Sequence, residues 1–248
     1  MESMLSEQEL ERYSRQIMLF GEEGQKRLKN ARVFIAGAGG LGCPIALYLA
    51  VAGVGHLRLV DRDVVDRSNL NRQVLHWDPD IGKEKVLSVE EKLRSINPYI
   101  DVEVFTRTID ESNISEFTSG ADVIVDAMDN YATRYLLNQM AQEKGIPLMH
   151  GAVRGFDGQA TTIIPGKTAC LNCLFPSAPP NEVFPIVGVT AGIIAMVQAN
   201  EVIKYLVGTG ELLTDRLLIW NGLSAEMEYL SFNKRCDCQV CSISSDKH

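Results

Sequence analysis

Short apolar runs alternate with longer amphipathic stretches along the first part of the chain. The apolar runs are rich in β-branched and large aliphatic residues, as buried strands are, and they predict strands at 31–36, 56–61, 102–106 and 123–129. The stretches predicted as helices are 5–30, 41–51 and 83–95. Strands that alternate with helices are typical of a parallel, doubly wound sheet.

The later apolar segments come in pairs that are joined by short turns. The pairs are 146–153 with 158–165, and 216–222 with 226–232, which is the pattern of β-hairpins. Residues 186–199 form an apolar stretch of about 14 residues, short of the ~20 that a membrane-spanning helix needs, and predict a buried core helix. The predicted fold class is therefore α/β: a Rossmann-like, doubly wound mixed sheet with a parallel N-terminal half and an antiparallel extension.

Composition narrows the class of partner. The chain of 248 residues carries 24 basic and 32 acidic side chains, a net charge of −8. Binding to nucleic acid or to an anionic membrane without sequence preference depends on positive charge, so we expect neither. The first twenty residues mix acids and bases and lack the apolar core of a secretory signal, which predicts a cytoplasmic protein. No long linker interrupts the chain, which favours a single domain over 1–248.

A glycine-rich segment lies where the first strand passes into the next helix. It reads G-A-G-G-L-G, and its glycines are Gly37, Gly39, Gly40 and Gly42. Glycines with this spacing let the backbone turn tightly and approach a phosphate at a helix N-terminus. Asp61 ends the following strand, where an acid commonly binds a ribose hydroxyl. The motif predicts a nucleotide site, but it does not distinguish a dinucleotide from ATP.

The residues after Asp61 favour a triphosphate. Arg72 and Lys85 are cations in an otherwise acidic chain, and phosphoryl or nucleotidyl transfer depends on such charges. Asn69 and Gln73 are candidates for neutral hydrogen bonds to the same phosphates. The alternative for Lys85 is a solvated charge on an amphipathic helix.

Two carboxylates also lie at the end of the fourth predicted strand. Asp126 and Asp129 lie at its carboxyl end, where ligands bind in open α/β sheets. A carboxylate there, beside polyphosphate, predicts a ligand for Mg²⁺.

Two C-x-x-C pairs predict a metal site. Cys170 and Cys173 form one pair and Cys238 and Cys241 the other, with Cys236 close by. Two such turns close a tetrahedral four-thiolate zinc site, which has no open position for a substrate, so the expected zinc is structural. Equal spacing of the two pairs favours these four ligands over a set that includes Cys236. The alternative is that the cysteines are metal-free packing residues.

Several motifs occur together in one order over residues 12–241. They are R-Y-S-R-Q-I, G-A-G-G-L-G, L-V-D-x-D, S-N-L-N-R-Q, G-K-E-K, D-A-M-D-N and the paired C-x-x-C motifs. In this order they closely resemble the ThiF/MoeB/HesA family of sulfur-carrier-protein adenylyltransferases, which is related to ubiquitin-activating enzymes. The resemblance implies a helical arm at 1–30, a nucleotide-binding half at 31–150 and a carrier-binding and zinc half at 151–248.

The resemblance also implies roles for individual residues. Asp61 contacts the ribose, and Asn69, Arg72 and Lys85 meet the phosphates of Mg-ATP. Asp129 is linked with the metal and the reaction centre, and Arg15 reaches the triphosphate of a neighbouring subunit, which implies a homodimer. The other implied cofactor-binding positions in these motifs are Asp63, Gln73 and Asn130.

The implied reaction is attack by the C-terminal glycine carboxylate of a small ubiquitin-fold carrier, ending in Gly-Gly, on the α-phosphate of ATP. Molybdopterin and thiamine carriers are both candidates. Relatives that form a thioester or persulfide keep a cysteine in the crossover loop, but 176–191 has none, and Phe184 stands at about the matching place. We therefore expect the reaction to stop at the adenylate.

Three alternatives remain open at this point. An NAD-dependent oxidoreductase shares the glycine loop and Asp61, but it needs neither the cations nor the zinc site. The second alternative is a non-catalytic carrier-binding subunit. The third is an enzyme that adenylates another carboxylate or a nucleoside. Comparing ATP with NAD binding separates the first of these from the rest.

Overall fold

The computed structural model describes residues 4–178 and 184–241. The strands within these residues form one eight-stranded sheet. The order across the sheet is β3-β2-β1-β4-β5-β6-β7-β8. The strands are β1 Arg32–Ala36, β2 His56–Val60, β3 Asp101–Phe105, β4 Val123–Asp126, β5 Leu148–Arg154, β6 Asp157–Ile163, β7 Arg216–Asn221 and β8 Glu226–Ser231. The first five pair in parallel and the last three extend the sheet antiparallel. The predicted fold class is confirmed.

The described residues contain eight α-helices, of which the first two precede β1 and the others lie between strands. They are α1 Glu7–Arg12, α2 Ser14–Asn30, α3 Gly42–Ala52, α4 Lys85–Ile96, α5 Ile114–Phe117, α6 Tyr131–Lys144, α7 Leu171–Leu174 and α8 Gly188–Val207. The helix predicted at 5–30 is divided at Tyr13, and Gly21 bends its second part with a φ of 73°. The core helix predicted at 186–199 continues to Val207. None of these helices combines the length and apolarity that crossing a bilayer requires.

Both faces of the parallel region are buried, because alternate residues of a strand enter different cores. On β1, Val33 and Ile35 pack in one hydrophobic cluster, while Phe34 and Ala36 pack in another. The first cluster includes α3 and α8, and the second includes α5 and α6. Such two-sided burial explains why the strand reads as a continuous apolar run.

The polar ends of the strands meet at one point of the sheet. β1 lies between β2 and β4, so β2 and β3 extend the sheet on one side of β1 and the later strands extend it on the other. A crevice at such a switch point, outside the carboxyl ends of the strands, is where open α/β sheets bind ligands. The glycine loop after β1, Asp61 after β2 and Asp129 after β4 all lie at this end.

Candidate active site

The glycine loop makes a turn that other residues would obstruct. Gly37 has a φ of 102°, and a Cβ there would lie 2.8 Å from the carbonyl oxygen of Ala127. A Cβ on Gly42 would lie 1.9 Å from the carbonyl oxygen of Gly37. Within the described residues, the N–H groups of Gly39, Gly40 and Leu41 have no hydrogen-bond partner. Free N–H groups just ahead of a helix form an anion-binding site.

Asp61 fastens this loop to the neighbouring strand. One carboxylate oxygen accepts a hydrogen bond from the Ala38 N–H at 2.8 Å, and the other accepts one from the Asp63 N–H at 2.9 Å. The side chain therefore shapes the loop, a role that sequence analysis did not assign. Its contact with a ribose stays a prediction.

Lys85 is buried, with 6% of its surface exposed. Its ammonium lies 2.8 Å from a carboxylate oxygen of Asp63, whose side chain is 54% exposed. The interpretation of Lys85 as a solvated charge is wrong, because α4 begins at this residue and turns the side chain inward. A cation enclosed by protein acts in a lower dielectric than water, which strengthens its attraction for a phosphate.

The turn at 69–73 packs against the glycine loop. A Cβ on Gly40 would lie 3.6 Å from Cγ of Arg72, and a Cβ on Gly39 would lie 3.6 Å from Nε2 of Gln73. Gln73 is 4% exposed, and its Oε1 has no hydrogen-bond partner among the described residues. A buried amide oxygen without a partner is costly, so a ligand or water at this position would stabilise it.

The other two polar residues of this turn already have partners. The Arg72 guanidinium donates to the Ser68 carbonyl at 2.9 Å and to the Asn71 side chain at 2.9 Å. The Asn69 Oδ1 accepts from the Asp66 N–H at 3.1 Å, which leaves its amide donors for a ligand. The structure thus brings the predicted phosphate contacts of this turn beside the loop.

The two carboxylates after β4 have different surroundings. Asp126 is fully buried and accepts hydrogen bonds from His150 Nδ1 at 2.7 Å and from the Met128 N–H at 3.1 Å. The Arg134 guanidinium lies 3.6 Å away. Asp126 is therefore engaged by protein groups, whereas Asp129 is exposed, and its contact with Mg²⁺ stays a prediction.

Two further predicted site residues lie apart from these contacts. Asn130 caps α6, since its Oδ1 accepts from the Thr133 N–H at 2.9 Å. Arg15 is exposed on α2 and forms no hydrogen bond or ion pair within residues 4–178 and 184–241. The structure describes a single chain, so contact between Arg15 and a neighbouring subunit stays a prediction.

The four predicted zinc ligands converge. The sulfurs of Cys170, Cys173, Cys238 and Cys241 lie within 4.8 Å of one another, and all four residues are buried. Neighbouring sulfurs are separated by 4.0, 3.6 and 3.4 Å. A tetrahedron with Zn–S bonds of about 2.3 Å has sulfurs about 3.8 Å apart, so the donor set fits zinc. Cys236 is exposed, outside the cluster.

Comparison with known proteins places this chain in a family. The model of the ThiF family matches residues 13–240. The chain belongs to the ThiF family. It is 46% identical over 241 residues to the SAMP-activating enzyme E1 of Haloferax volcanii, covering 94% of this chain and 89% of that protein. It is 41% identical over 247 residues to adenylyltransferase and sulfurtransferase MOCS3 of Drosophila sechellia, covering 96% of this chain but only 54% of that relative.

Solved structures agree with this ThiF fold. A crystal structure of E. coli MccB with MccA-N7isoASN has a TM-score of 0.85 at 24% identity, covering 94% of this chain and 74% of that one. A structure of PaaA has a TM-score of 0.82 at 25% identity, covering 95% and 77%. The likeness to MccB shows the fold alone.

Proposed function

We propose that this protein is a Mg-ATP-dependent adenylyltransferase that activates the C-terminal glycine carboxylate of a small ubiquitin-fold sulfur-carrier protein and releases pyrophosphate. The observation that carries the proposal is the glycine loop, with free N–H donors, flanked by Lys85 and Arg72 in a chain of net charge −8. ThiF membership and 46% identity to an enzyme named for activating SAMP support the same reaction.

The chemistry needs charge and alignment more than a base. A carboxylate is ionised at neutral pH and is already a nucleophile. Attack on the α-phosphate builds negative charge there and on the departing pyrophosphate, which positioned donors stabilise. The residues proposed to bind Mg-ATP are Gly37, Gly39, Gly40, Gly42, Asp61, Asp63, Asn69, Arg72, Gln73, Lys85, Asp129 and Asn130. Mg²⁺ that enters with ATP would neutralise part of the phosphate charge beside Asp129.

The carrier is proposed to dock on the outer part of the sheet, in the half at 151–248. All six residues of β8 are exposed, because the sheet extends past the helices that cover its centre. Met227 and Tyr229 lie opposite Trp220 and Leu218 of β7 and share their face. They are 46% and 54% exposed and extend the apolar surface outward. An exposed apolar patch on an edge strand suits a β-rich protein partner.

Zinc is proposed to bind at the cysteine cluster. The homodimer interface is proposed to lie at the N-terminal arm. Zinc would join the tail at 238–241 to the segment at 170–173, a structural role. The arm presents Arg15 beside Met18 and Leu19, which are 80% and 83% exposed, an apolar patch that a second copy would cover. A cytoplasmic location remains a prediction.

Complementation tests the dimer. Arg15→Ala and Lys85→Ala homodimers are each expected to be nearly inactive, because each site lacks one cation. In a mixed dimer one site has both residues, so statistical mixing should restore about a quarter of wild-type activity. Pyrophosphate release from co-refolded chains measures it. No recovery in proven mixed dimers would show that Arg15 does not act across the interface.

The reaction itself is tested by intact mass spectrometry. Candidate small proteins that end in Gly-Gly are incubated with this protein, Mg²⁺ and ATP, and the expected result is a mass increase of one AMP on one of them. A carrier truncated by its last two glycines is the matched control and should stay unmodified. ATP binding without adenylation of any carrier in a pathway-wide panel would contradict the proposal and favour a non-catalytic, carrier-binding subunit.

A further inference from the structure

A buried chain of polar side chains lies beneath the glycine loop. The Lys92 ammonium lies 2.5 Å from the Asp80 carboxylate and donates to the Ser88 hydroxyl at 2.9 Å. That hydroxyl lies 3.0 Å from His76 Nδ1, and His76 Nε2 lies 3.0 Å from the carbonyl oxygen of Ala38. All four side chains are buried. Neither the proposed reaction nor the family motifs use them.

The Ala38 carbonyl fixes the direction of the hydrogen bonds along these side chains, because a carbonyl oxygen can only accept and His76 Nε2 must therefore donate to it. With its proton on Nε2, His76 accepts at Nδ1 from the Ser88 hydroxyl, whose oxygen accepts in turn from the Lys92 ammonium. The other acceptor near that hydroxyl, the Leu75 carbonyl, is farther away at 3.3 Å. A neutral imidazole that accepts at Nδ1 carries its proton on Nε2, and that proton points at Ala38.

The surroundings of His76 favour its neutral form. Burial lowers the pKa of His76 and the nearby charges of Lys85 and Lys92 act in the same direction, while the hydrogen bond to the Ala38 carbonyl and the charge of Asp80 oppose them. Cys43 also donates to the Ala38 carbonyl, at 3.2 Å, and burial raises the pKa of this thiol to about 12. Cys43 therefore stays protonated and acts as a second donor to that carbonyl.

The orientation of the Ala38 carbonyl also sets the orientation of the Gly39 N–H, because the two groups belong to the same peptide unit. In a trans peptide the C=O of one residue and the N–H of the next point in opposite directions. Holding the Ala38 carbonyl toward buried His76 therefore turns the Gly39 N–H away from the core, and that N–H has no partner in the described chain. Asp61 holds the other side of Ala38 through its N–H at 2.8 Å.

We propose that His76 is a positioning residue for the nucleotide: Lys92 and Ser88 hold it as the Nε2–H tautomer, and it fixes the Ala38 carbonyl so that the Gly39 N–H faces the bound phosphates. The inference rests on the proposed ATP site. We therefore expect His76 to affect the affinity for the phosphate groups of ATP and to leave the affinity for the nucleoside unchanged.

Calorimetric binding of ATP and of adenosine tests this expectation with a matched pair of variants. His76→Phe keeps a ring but no donor, and ATP affinity is expected to fall about tenfold while adenosine affinity stays within about twofold. His76→Gln supplies an amide N–H at a similar reach, and we expect it to retain ATP affinity within about threefold. Equal ATP affinity in His76→Phe and wild type would overturn the inference, as would equal losses for ATP and adenosine.

A spectroscopic measurement on the intact wild-type chain keeps the test independent of folding and of the proposed function. The ¹⁵N signals of the His76 ring, assigned by their absence from His76→Gln, should show the neutral Nε2–H form. Ser88→Ala should shift the ring away from that single form. A proton on Nδ1 in the wild type would overturn the inference even if His76→Phe failed to fold. Failure of the wild type to bind ATP would instead refute the proposed function.

Discussion

Carrier adenylation by the Lys85→Ala variant is expected to fall at least about 100- to 1000-fold in kcat, the loss typical of removing one donor from a preorganised charge-stabilising site. The physical reason is the position of the ammonium. Lys85 is 6% exposed and is held 2.8 Å from Asp63, so it is already desolvated before ATP arrives. Asp63 in turn donates its N–H to Asp61, the side chain that fastens the glycine loop. Initial rates of carrier-dependent pyrophosphate release measure the loss.

Lys83→Ala is the matched control for Lys85→Ala. Lys83 lies two residues earlier, and its ammonium pairs with Glu91 on α4 instead of facing the loop. We expect this variant to retain wild-type activity and stability within about 0.5 kcal/mol. Lys85→Ala should itself stay folded, because its partner Asp63 is 54% exposed and can be solvated. Equal losses in both variants, or a Lys85→Ala chain that is inactive only because it unfolds, would contradict the assigned role.

The second large effect is expected from Cys241→Ser, which should lose zinc and release the C-terminal tail. Cys238 and Cys241 are buried against Cys170 and Cys173, so a metal there would hold the tail to the segment at 170–173. Structural zinc supplies about 10–16 kcal/mol of apparent binding energy in small zinc domains. A decrease of only about 3 kcal/mol in the free energy of unfolding would lower the melting temperature by roughly 6–12 °C in a domain of this size. Metal analysis and thermal unfolding measure the two effects.

Cys236→Ser provides the control for the zinc prediction. Cys236 is exposed, whereas the four clustered cysteines are buried, so its loss should leave about one zinc per chain and an unchanged melting temperature. Zinc loss in Cys236→Ser would show that the ligand set is different. Less than about half an equivalent of zinc in wild-type protein purified without chelator would count against the metal itself.

Local patterns were sufficient for most secondary structure. Each predicted strand lies within three residues of its observed bounds, because a buried strand or hairpin leaves its signature in adjacent residues. Helix α6 has no counterpart among the sequence predictions. Its signals were local all the same: Asn130 caps its start, and Gly145 ends it with a φ of 68°.

The sequence by itself determined the kinds of site. The glycine spacing between a strand and a helix specifies an anion-binding turn, since only glycine fits at Gly37 and Gly42. The equal spacing of the two C-x-x-C pairs identified the four cysteines that converge in the structure. These features could be predicted because residues a few positions apart impose them.

Only the tertiary structure decided which polar groups are already occupied. His150 comes from β5 to engage Asp126, and Asp63 pairs with Lys85, 22 residues further along the chain. His76 meets Ala38 across 38 residues. The order of the strands and the packing of α4 bring these partners together, and a buried donor takes whichever acceptor the fold places within reach. The spacing of residues along the chain therefore does not predict these pairings.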